Sequence, residues 1–344
     1  MASPFIVIGE NIHCTRVLSA KSRRVVARPD GGAAIAYVSA AGEPRELPLT
    51  PALMAGQDYR EGRVKHVMLA IQAAMSDREA DRSEGEEYLR HLARRQEEAG
   101  ASFLDLNVDE ISVRLADQKA AMAWLVKAVR QMTELPLSVD SSNVEVIRAG
   151  LEAGDGAGPP PLLNSASLER LEALAMARDH RASVVVTAAG EKGMPADAGE
   201  RVANASRMIE AALAQGFAPS QVYVDPLIFP IAVDKEYGRH SLDAIAALRW
   251  AVGPALHITG GMSNVSFGIP GRKIINDVSL NLAVEAGADS GIIDPVASRT
   301  QAVLAMDRTG PAWRLAEDVL MGRDEHCRLY LRAWRRGELK TQAG

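Results

Sequence analysis

The sequence predicts an α/β protein folded as a (β/α)₈ barrel, and three observations support this fold class. Eight short apolar segments recur along the 344 residues and alternate with segments of helical periodicity. Each short segment is apolar at consecutive positions, as in parallel strands that are buried on both faces. Most of them end in Asp or Asn, which is expected where strand ends converge at the mouth of a barrel. An open doubly wound sheet is the alternative, because alternation alone does not prove closure.

The predicted elements follow one another in a regular order. The eight predicted strands cover residues 5–8, 103–107, 137–140, 161–164, 183–187, 222–225, 256–259 and 290–294. Predicted helices lie between them at about 61–75, 84–99, 118–131, 144–153, 168–179, 199–215, 242–251 and 273–286. A C-terminal helical extension is predicted at about 311–344. We therefore expect one barrel domain that spans residues 1–344.

One segment does not fit this alternation. Residues 14–60, directly after the first strand, contain two β-branched runs joined by Pro29-Asp30-Gly31-Gly32, which predicts a hairpin. We interpret the segment as a small β insertion. Because it begins at the end of the first strand, and carries several Arg and Lys residues, one hypothesis is that it docks a partner protein; a solvated ornament is the alternative.

Composition excludes several classes of function. The net charge is −5 and aromatic residues are only 4%, which argues against nucleic acid or an anionic membrane as the main partner. Only Cys14 and Cys327 are present, so a disulfide framework is not expected. No run is long and apolar enough for a signal peptide or a membrane span. We expect a cytoplasmic protein.

Polar residues at the strand ends are the candidate functional residues. In chain order they are Asp105, Asn107, Asp140, Asn164, Asp225, Asn264 and Asp294. For each of them, capping of the following helix is an alternative, and this fits Asp140 and Asp294 especially well. The loop after the seventh strand begins with Gly260-Gly261 and carries Asn264, where an exposed amide would be presented.

The sequence limits the kinds of ligand that these residues can bind. The chain has no HExxH motif, no cysteine pair and no cluster of His, so no metal site is predicted, and Gly260-Gly261 lacks the Lys of a phosphate-binding loop. His13 follows the first strand, where a lone His is more often packed than catalytic. Carboxylates and carboxamides suit a flat heterocycle with several N–H donors, such as a pterin or a purine.

Five segments, in order and on the expected strands, carry a resemblance to a known family. They are LDLNVDEIS at 104–112, SVDSSN at 138–143, LLNSAS at 162–167, VYVDPLIFP at 222–230 and GGMSNVSFGIPGRKIIN at 260–276. They resemble the pterin-binding methyltransferases, which include methyltetrahydrofolate:corrinoid protein methyltransferases and the similar folate domain of cobalamin-dependent methionine synthase. The resemblance implies a TIM barrel like that of dihydropteroate synthase, commonly a homodimer, that binds methyltetrahydrofolate.

The same resemblance implies roles for individual residues. Asp140, Asn164 and Asp225 are expected to hydrogen-bond the pterin, with Asp105 and Asn107 beside them. Asn264 is expected to hydrogen-bond N5, and an amide suits this role because it can donate or accept as N5 gains its proton. Arg272 and Lys273 are candidates for the folate tail. The corrinoid is expected on a partner protein, since the motif DxHxxG is absent from this sequence.

Two alternatives stay open. Dihydropteroate synthase shares the barrel and the pterin pocket, but its final-strand Arg-x-His is replaced here by Ile292-Ile293-Asp294-Pro295, and its Thr-Pro-Asp-Ser-Phe loop is absent. The other alternative is a protein that binds a pterin and recruits a corrinoid protein without turnover. The presence of Asn264 favours the methyltransferase.

Overall fold

The structure, a computed structural model, describes residues 5–156 and 158–339. The strands are β1 (Ile6–His13), β2 (Leu18–Ser19), β3 (Val25–Ala27), β4 (Ala33–Val38), β5 (Pro44–Pro48), β6 (Arg63–Val64), β7 (Phe103–Asn107), β8 (Leu137–Asp140), β9 (Leu162–Ala166), β10 (Ser183–Thr187), β11 (Val222–Asp225), β12 (His257–Ile258) and β13 (Ser290–Ile293).

The α-helices follow the strands in the predicted alternation. They are α1 (Pro51–Ala55), α2 (Gln57–Arg60), α3 (His66–Ala74), α4 (Glu79–Glu98), α5 (Leu115–Arg130), α6 (Val144–Gly154), α7 (Glu172–Asp179), α8 (Ala198–Ala214), α9 (Tyr237–Val252), α10 (Arg272–Ala286), α11 (Thr300–Leu304), α12 (Pro311–Leu320) and α13 (Arg328–Arg335).

All eight predicted strands are present in one sheet, in the order β12-β11-β10-β9-β8-β7-β1-β13. The two strands at the ends of this order also join each other. Ile258 O accepts a hydrogen bond from Asp289 N at 3.3 Å, and Gly260 O accepts one from Ile292 N at 2.9 Å. A parallel bridge between Gly261 and Ile292 continues this pairing. The predicted (β/α)₈ barrel is confirmed, and the open sheet is excluded.

Contacts within the chain define two compact units, which we describe separately. The first comprises residues 9–164, and the second comprises residues 165–339 together with 5–8. In the first unit, Leu104, Leu106, Leu137 and Val139 from β7 and β8 are at most 1% exposed. In the second, consecutive Val residues of β10 are fully buried. Strands covered on both faces explain the continuous apolar runs in the sequence. The prediction of a single domain stays a prediction.

The insertion after the first strand is confirmed and is more elaborate than predicted. β3, β4 and β5 form an antiparallel sheet, and β2 pairs with β6. Tyr37 of β4 packs edge-on against Tyr88 of α4, with ring centroids 4.9 Å apart. Arg24 donates to the Tyr88 hydroxyl at 2.9 Å. The insertion is thus anchored on the outside of α4, and part of its positive charge is used within the chain.

Four predicted helix starts are wrong, and one of them is that of α4, which begins at Glu79 rather than at about residue 84. Residues 61–65 are not helical, because β6 pairs with β2 there and α3 begins only at His66. α7 begins at Glu172, later than predicted, and α9 begins at Tyr237, earlier than predicted. Among the described residues, no helix is long and apolar enough to cross a membrane.

The C-terminal extension is two helices rather than one continuous helix. α12 and α13 are separated at Gly322, which has a φ of +71°, and at His326 and Cys327, which have φ of +54° and +53°. These left-handed conformations cannot continue a right-handed helix. Residues 340–344 of the predicted extension lie outside the described residues.

Candidate active site

In the unit of residues 9–164, three predicted site residues lie at the same level on neighbouring strands. The parallel pairing aligns Asn107 of β7 with Asp140 of β8 and aligns Asp140 with Asn164 of β9. Aligned residues on neighbouring parallel strands project to the same face, so these side chains form a polar row at the strand ends. Asn107 and Asn164 are each 8% exposed. The sequence prediction that these strand ends converge is confirmed for this row.

Asp140 is held through one carboxylate oxygen. Asn107 Nδ2 donates to Asp140 Oδ2 at 2.9 Å. No hydrogen bond to Oδ1 is found within the described part of the chain. The interpretation of Asp140 as a helix cap is wrong, because Asn143 caps α6 by accepting from Glu145 N at 2.9 Å. Asp140 is therefore available to contact a ligand.

Asp109 fixes the loop that follows Asp140. Its carboxylate accepts from Ser141 Oγ at 2.5 Å and from Ser142 N at 2.9 Å. The sequence analysis did not single out Asp109, although it lies only two residues after Asn107. Its N–H donates to Asn107 Oδ1 at 3.0 Å, so the two loops that follow β7 and β8 are tied together.

Asp105 has a different environment from the polar row. It is fully buried, and its Oδ2 lies 2.8 Å from His13 Nε2. Its Oδ1 is buried and has no hydrogen-bond partner among the residues that the structure describes. The pairing places His13, from the end of β1, directly against β7, and Cys14 N donates to Asn107 O at 2.9 Å. The direct pterin contact expected for Asp105 stays a prediction.

Burial and mutual charge shift the pKa values of these groups. Burial lowers the pKa of His13, but the hydrogen bond and charge of Asp105, with the charges of Asp140 and Glu10, outweigh burial and raise it. The pKa of Asp140 is raised by burial and by the charge of Asp105, against the opposing effects of His13 and Asn107. The raised pKa of His13 thus depends on two neighbouring carboxylates, the buried Asp105 and the half-buried Asp140.

His13, Asp105 and Asp140 are close enough together to bind one cation. His13, Asp105 and Asp140 each offer one ligand atom, and these atoms lie within 4.8 Å of one another. However, the 2.8 Å contact of His13 with Asp105 is a hydrogen bond, which requires a proton between the two groups. Among the described residues, only His13 and Asp105 of these three share a hydrogen bond, and Asp140 accepts from Asn107 instead.

In the second unit, Asp225 ends β11, at the level of Thr187 of β10. Its Oδ1 accepts from Leu227 N at 2.7 Å. Gly260 lies so close that a Cβ there would be 3.2 Å from the same oxygen. Oδ2 accepts no hydrogen bond from the residues that the structure describes. Burial raises the pKa of Asp225 to about 6, although the Leu227 N–H and the charge of Arg201 act to lower it.

Asn264 lies in a 3₁₀ turn, Met262–Ser266, and is exposed, as the sequence predicted. Its side chain folds over Gly261, where a Cβ would be 2.7 Å from Asn264 Nδ2, so a larger residue would displace the amide. Asn264 N donates to Gly261 O at 3.0 Å. The carboxamide makes no hydrogen bond to any described residue. An exposed amide on a fixed turn is suited to contact a bound molecule.

The other predicted residues of this unit have partners of their own. Arg272 donates to Ser266 Oγ at 2.9 Å and to Ser263 O at 2.6 Å. Lys273 Nζ lies 2.5 Å from Asp277 Oδ2. The folate-tail role of both residues stays a prediction. Asp294 Oδ1 accepts from the N–H groups of the two residues that follow Pro295, each at 3.0 Å, and so closes a turn. Its predicted role as the cap of the following helix is wrong, because α11 begins only at Thr300, with Arg299 at its N-cap.

Arg201 was missed by the sequence analysis. It lies in the first turns of α8, is fully buried, and donates to Leu227 O at 3.2 Å. The only sequence signal would have been a basic residue at a position where the helix periodicity demands an apolar one.

Known proteins support a family assignment. The chain is 28% identical to methylcorrinoid:tetrahydrofolate methyltransferase of Eubacterium limosum over 74% of this chain and 89% of that protein. It is 32% identical to methionine synthase of Mycobacterium leprae over 59% of this chain, but spans only 17% of that relative's length. Dihydropteroate synthase from Stenotrophomonas maltophilia has the same fold, with a TM-score of 0.51 and 20% identity over 64% of this chain and 86% of that one.

A family model described as "pterin binding enzyme" matches this sequence. It matches residues 76–294, which is more than half of the chain and includes the polar row, Asp225 and Asn264. The chain therefore belongs to the family of pterin binding enzymes.

Proposed function

We propose that this protein transfers a methyl group between N5 of methyltetrahydrofolate and the cobalt of a corrinoid that is carried by a partner protein. The observation that carries the proposal is the state of two carboxylates, Asp140, which is half-buried, and Asp225, which is buried. Asp140 and Asp225 each have one oxygen held by the protein, while the other accepts no hydrogen bond from the described residues. Free, fixed acceptors are what the amino-pyrimidinone edge of a pterin requires. The similarity to a methylcorrinoid:tetrahydrofolate methyltransferase supports the reaction.

The site residues take the following roles in this proposal. Asp140, Asn164 and Asp225 accept or donate hydrogen bonds at the polar edge of the pterin. Asn107 positions Asp140 through the bond to its Oδ2. Asp105 acts through His13, because its Oδ2 is already paired with the His13 ring. Arg272 or Lys273 binds the folate tail, and to do so it must release its present partner, Ser266 or Asp277 respectively.

Asn264 is the catalytic residue of this proposal. In the direction toward the corrinoid, the N5–CH₃ bond breaks, its methyl group forms a CH₃–Co(III) bond with the electron pair of Co(I), and N5 gains a proton from solvent. A tertiary amine is a poor leaving group until its nitrogen carries positive charge, so stabilising that charge lowers the barrier. A neutral carboxamide can stabilise it without a buried formal charge of its own. The exposed amide of Asn264 is free to adopt either orientation.

An anaerobic absorbance assay tests the reaction. The protein is mixed with methyltetrahydrofolate and chemically reduced cob(I)alamin, and the formation of methylcobalamin is followed. We expect methylcobalamin to form with the wild-type protein. Asn264→Ala should lose most of this activity, while calorimetry should show that folate binding is retained. Asn264→Asp keeps the shape of the side chain but removes the amide, so it shows whether the amide group or only the size of the side chain matters.

The other outcomes assign the protein differently. Folate binding without conversion, even with a protein-bound corrinoid, would make this a pterin-binding protein without turnover. Formation of dihydropteroate from a pterin pyrophosphate and p-aminobenzoate would make it a dihydropteroate synthase. The homodimer and the cytoplasmic location stay predictions, which sedimentation and fractionation can test.

A further inference from the structure

Arg201 is a buried arginine whose charge has no ion pair with a carboxylate among the described residues. It lies on α8 and is fully buried, which is unusual because an arginine stays charged at any physiological pH. Its Nη1 donates to Asp197 O at 3.0 Å, and its Nη2 is buried with no hydrogen-bond partner in the described part of the chain. Its guanidinium lies 4.7 Å from the ring centroid of Phe229. A buried charge without a direct counter-ion is unfavourable for stability, which suggests a role beyond packing.

The contact that distinguishes Arg201 is with Leu227. Arg201 Nε donates to Leu227 O at 3.2 Å. Leu227 has a φ of +67°, a left-handed conformation that is strained for a residue with a branched side chain. Such a conformation persists only where the surroundings hold it in place. Arg201 therefore holds the carbonyl side of a strained peptide unit.

The N–H of the same residue holds Asp225. Leu227 N donates to Asp225 Oδ1 at 2.7 Å, so both backbone groups of Leu227 are engaged. On the other side, a Cβ at Gly260 would be 2.9 Å from Ile228 Cδ1 and 3.2 Å from Asp225 Oδ1, so the carboxylate is confined there as well. A continuous series of hydrogen bonds thus runs from the guanidinium of Arg201, through Leu227, to the carboxylate of Asp225.

We propose that Arg201 is a positioning residue for Asp225: it holds the Leu227 turn so that one carboxylate oxygen of Asp225 is fixed and the other is presented to the pterin. This inference rests on the proposed function, because it assumes that Asp225 binds the pterin. Arg201 does not contact the pterin itself.

The positive charge of Arg201 also affects the pKa of Asp225. Burial raises the pKa of Asp225 to about 6, and the positive charge of Arg201 opposes this rise. Asp197 and Tyr237 are the other titratable groups that act on Arg201. Removing the charge of Arg201 therefore raises the pKa of Asp225 further. An ionised Asp225 accepts two N–H donors, whereas the protonated acid does not, so pterin binding would weaken at a higher pH than in the wild type.

The test measures methyltetrahydrofolate binding by calorimetry between about pH 5 and about pH 8. Three variants are compared with the wild type: Arg201→Met, Arg201→Lys and the control Arg207→Met. Arg207 lies on the same helix but is exposed and pairs with Glu191 at 2.6 Å. We expect Arg201→Met to weaken binding about tenfold or more and to move the acid midpoint upward by about one pH unit. Arg201→Lys should weaken binding while keeping the midpoint, and Arg207→Met should match the wild type.

Each other outcome overturns the inference. Weaker binding by Arg201→Met with an unmoved midpoint would assign Arg201 to packing alone. If Arg201→Met does not fold, Arg201→Lys decides, because an affinity equal to that of Arg207→Met would contradict the positioning role. If the wild-type protein binds no folate, the proposed function fails and this inference fails with it. If the wild type binds and both Arg201 variants bind equally well, only the inference fails.

Discussion

The pair formed by His13 and Asp105 should contribute substantially to stability, and its burial allows the contribution to be estimated. Asp105 is fully buried, and His13 is its only described side-chain partner, at 2.8 Å. Replacing His13 with Leu leaves a buried carboxylate without a partner. Breaking a buried ion pair in this way typically destabilises a protein by about 3–5 kcal/mol. We expect a loss at the lower end of this range, about 3 kcal/mol.

A second His–Asp pair provides a matched control. His257 Nδ1 lies 3.0 Å from Asp289 Oδ2, so the geometry is similar, but the side chain of Asp289 is 38% exposed. An exposed pair contributes only about 1 kcal/mol or less. His257→Leu should therefore destabilise the protein much less than His13→Leu. Urea unfolding, followed by circular dichroism, measures both losses.

The pH dependence distinguishes charge from packing. The pKa of His13 is raised in the folded protein, so its charge-dependent contribution is complete below the unfolded pKa of about 6.5 and is lost as pH rises through the folded pKa. The loss caused by His13→Leu should thus be larger at about pH 6 than at about pH 9. Equal losses for His13 and His257, or a His13 loss that grows with pH, would refute this reasoning.

Three further predictions concern single residues. Asn264→Ala should lower turnover about 100-fold while the Kd for folate changes less than about twofold, in single-turnover and calorimetric measurements. Asp140→Ala should weaken folate binding about tenfold or more, and an effect equal to that of Asn264→Ala on both quantities would contradict the separate roles. Gly85→Ala should destabilise the protein by about 3 kcal/mol, since its Cβ would lie 2.4 Å from Ala74 N; Gly199→Ala, with only Asp197 Oδ1 at 3.3 Å, is the control and should change stability by less than about 0.5 kcal/mol.

The barrel could be predicted because its strands and helices have different and regular patterns. Strands buried on both faces require apolar residues at consecutive positions, and parallel strands require a connecting helix after each one. The same rule predicted the polar row, because the ends of parallel strands lie at one edge of the sheet. The alignment of Asn107, Asp140 and Asn164 follows from this rule without any knowledge of the loops.

The details that were missed depend on contacts between residues far apart in sequence. The pairing of His13 with Asp105 requires that β1 lie beside β7, which local patterns do not reveal. The role of Arg201 depends on the left-handed turn at Leu227, and no residue type at that position signals such a turn. β6 was predicted as helix because two strand residues are too few to produce a period, and only the pairing with β2 defines it.

Asp140 in one unit and Asp225 in the other are held in the same way, and each is prepared for a ligand before the ligand binds. Asp140 is fixed by the amide of Asn107, and Asp225 is fixed by the N–H of Leu227. A side chain held through one oxygen has already lost most of its rotational freedom, so binding through the other oxygen requires little further ordering. Burial raises the pKa of both groups, which means that each carboxylate lacks enough donors in the free protein. A ligand that supplies N–H donors would relieve that deficit, which is the reason for proposing a donor-rich heterocycle, rather than an anion, as the ligand.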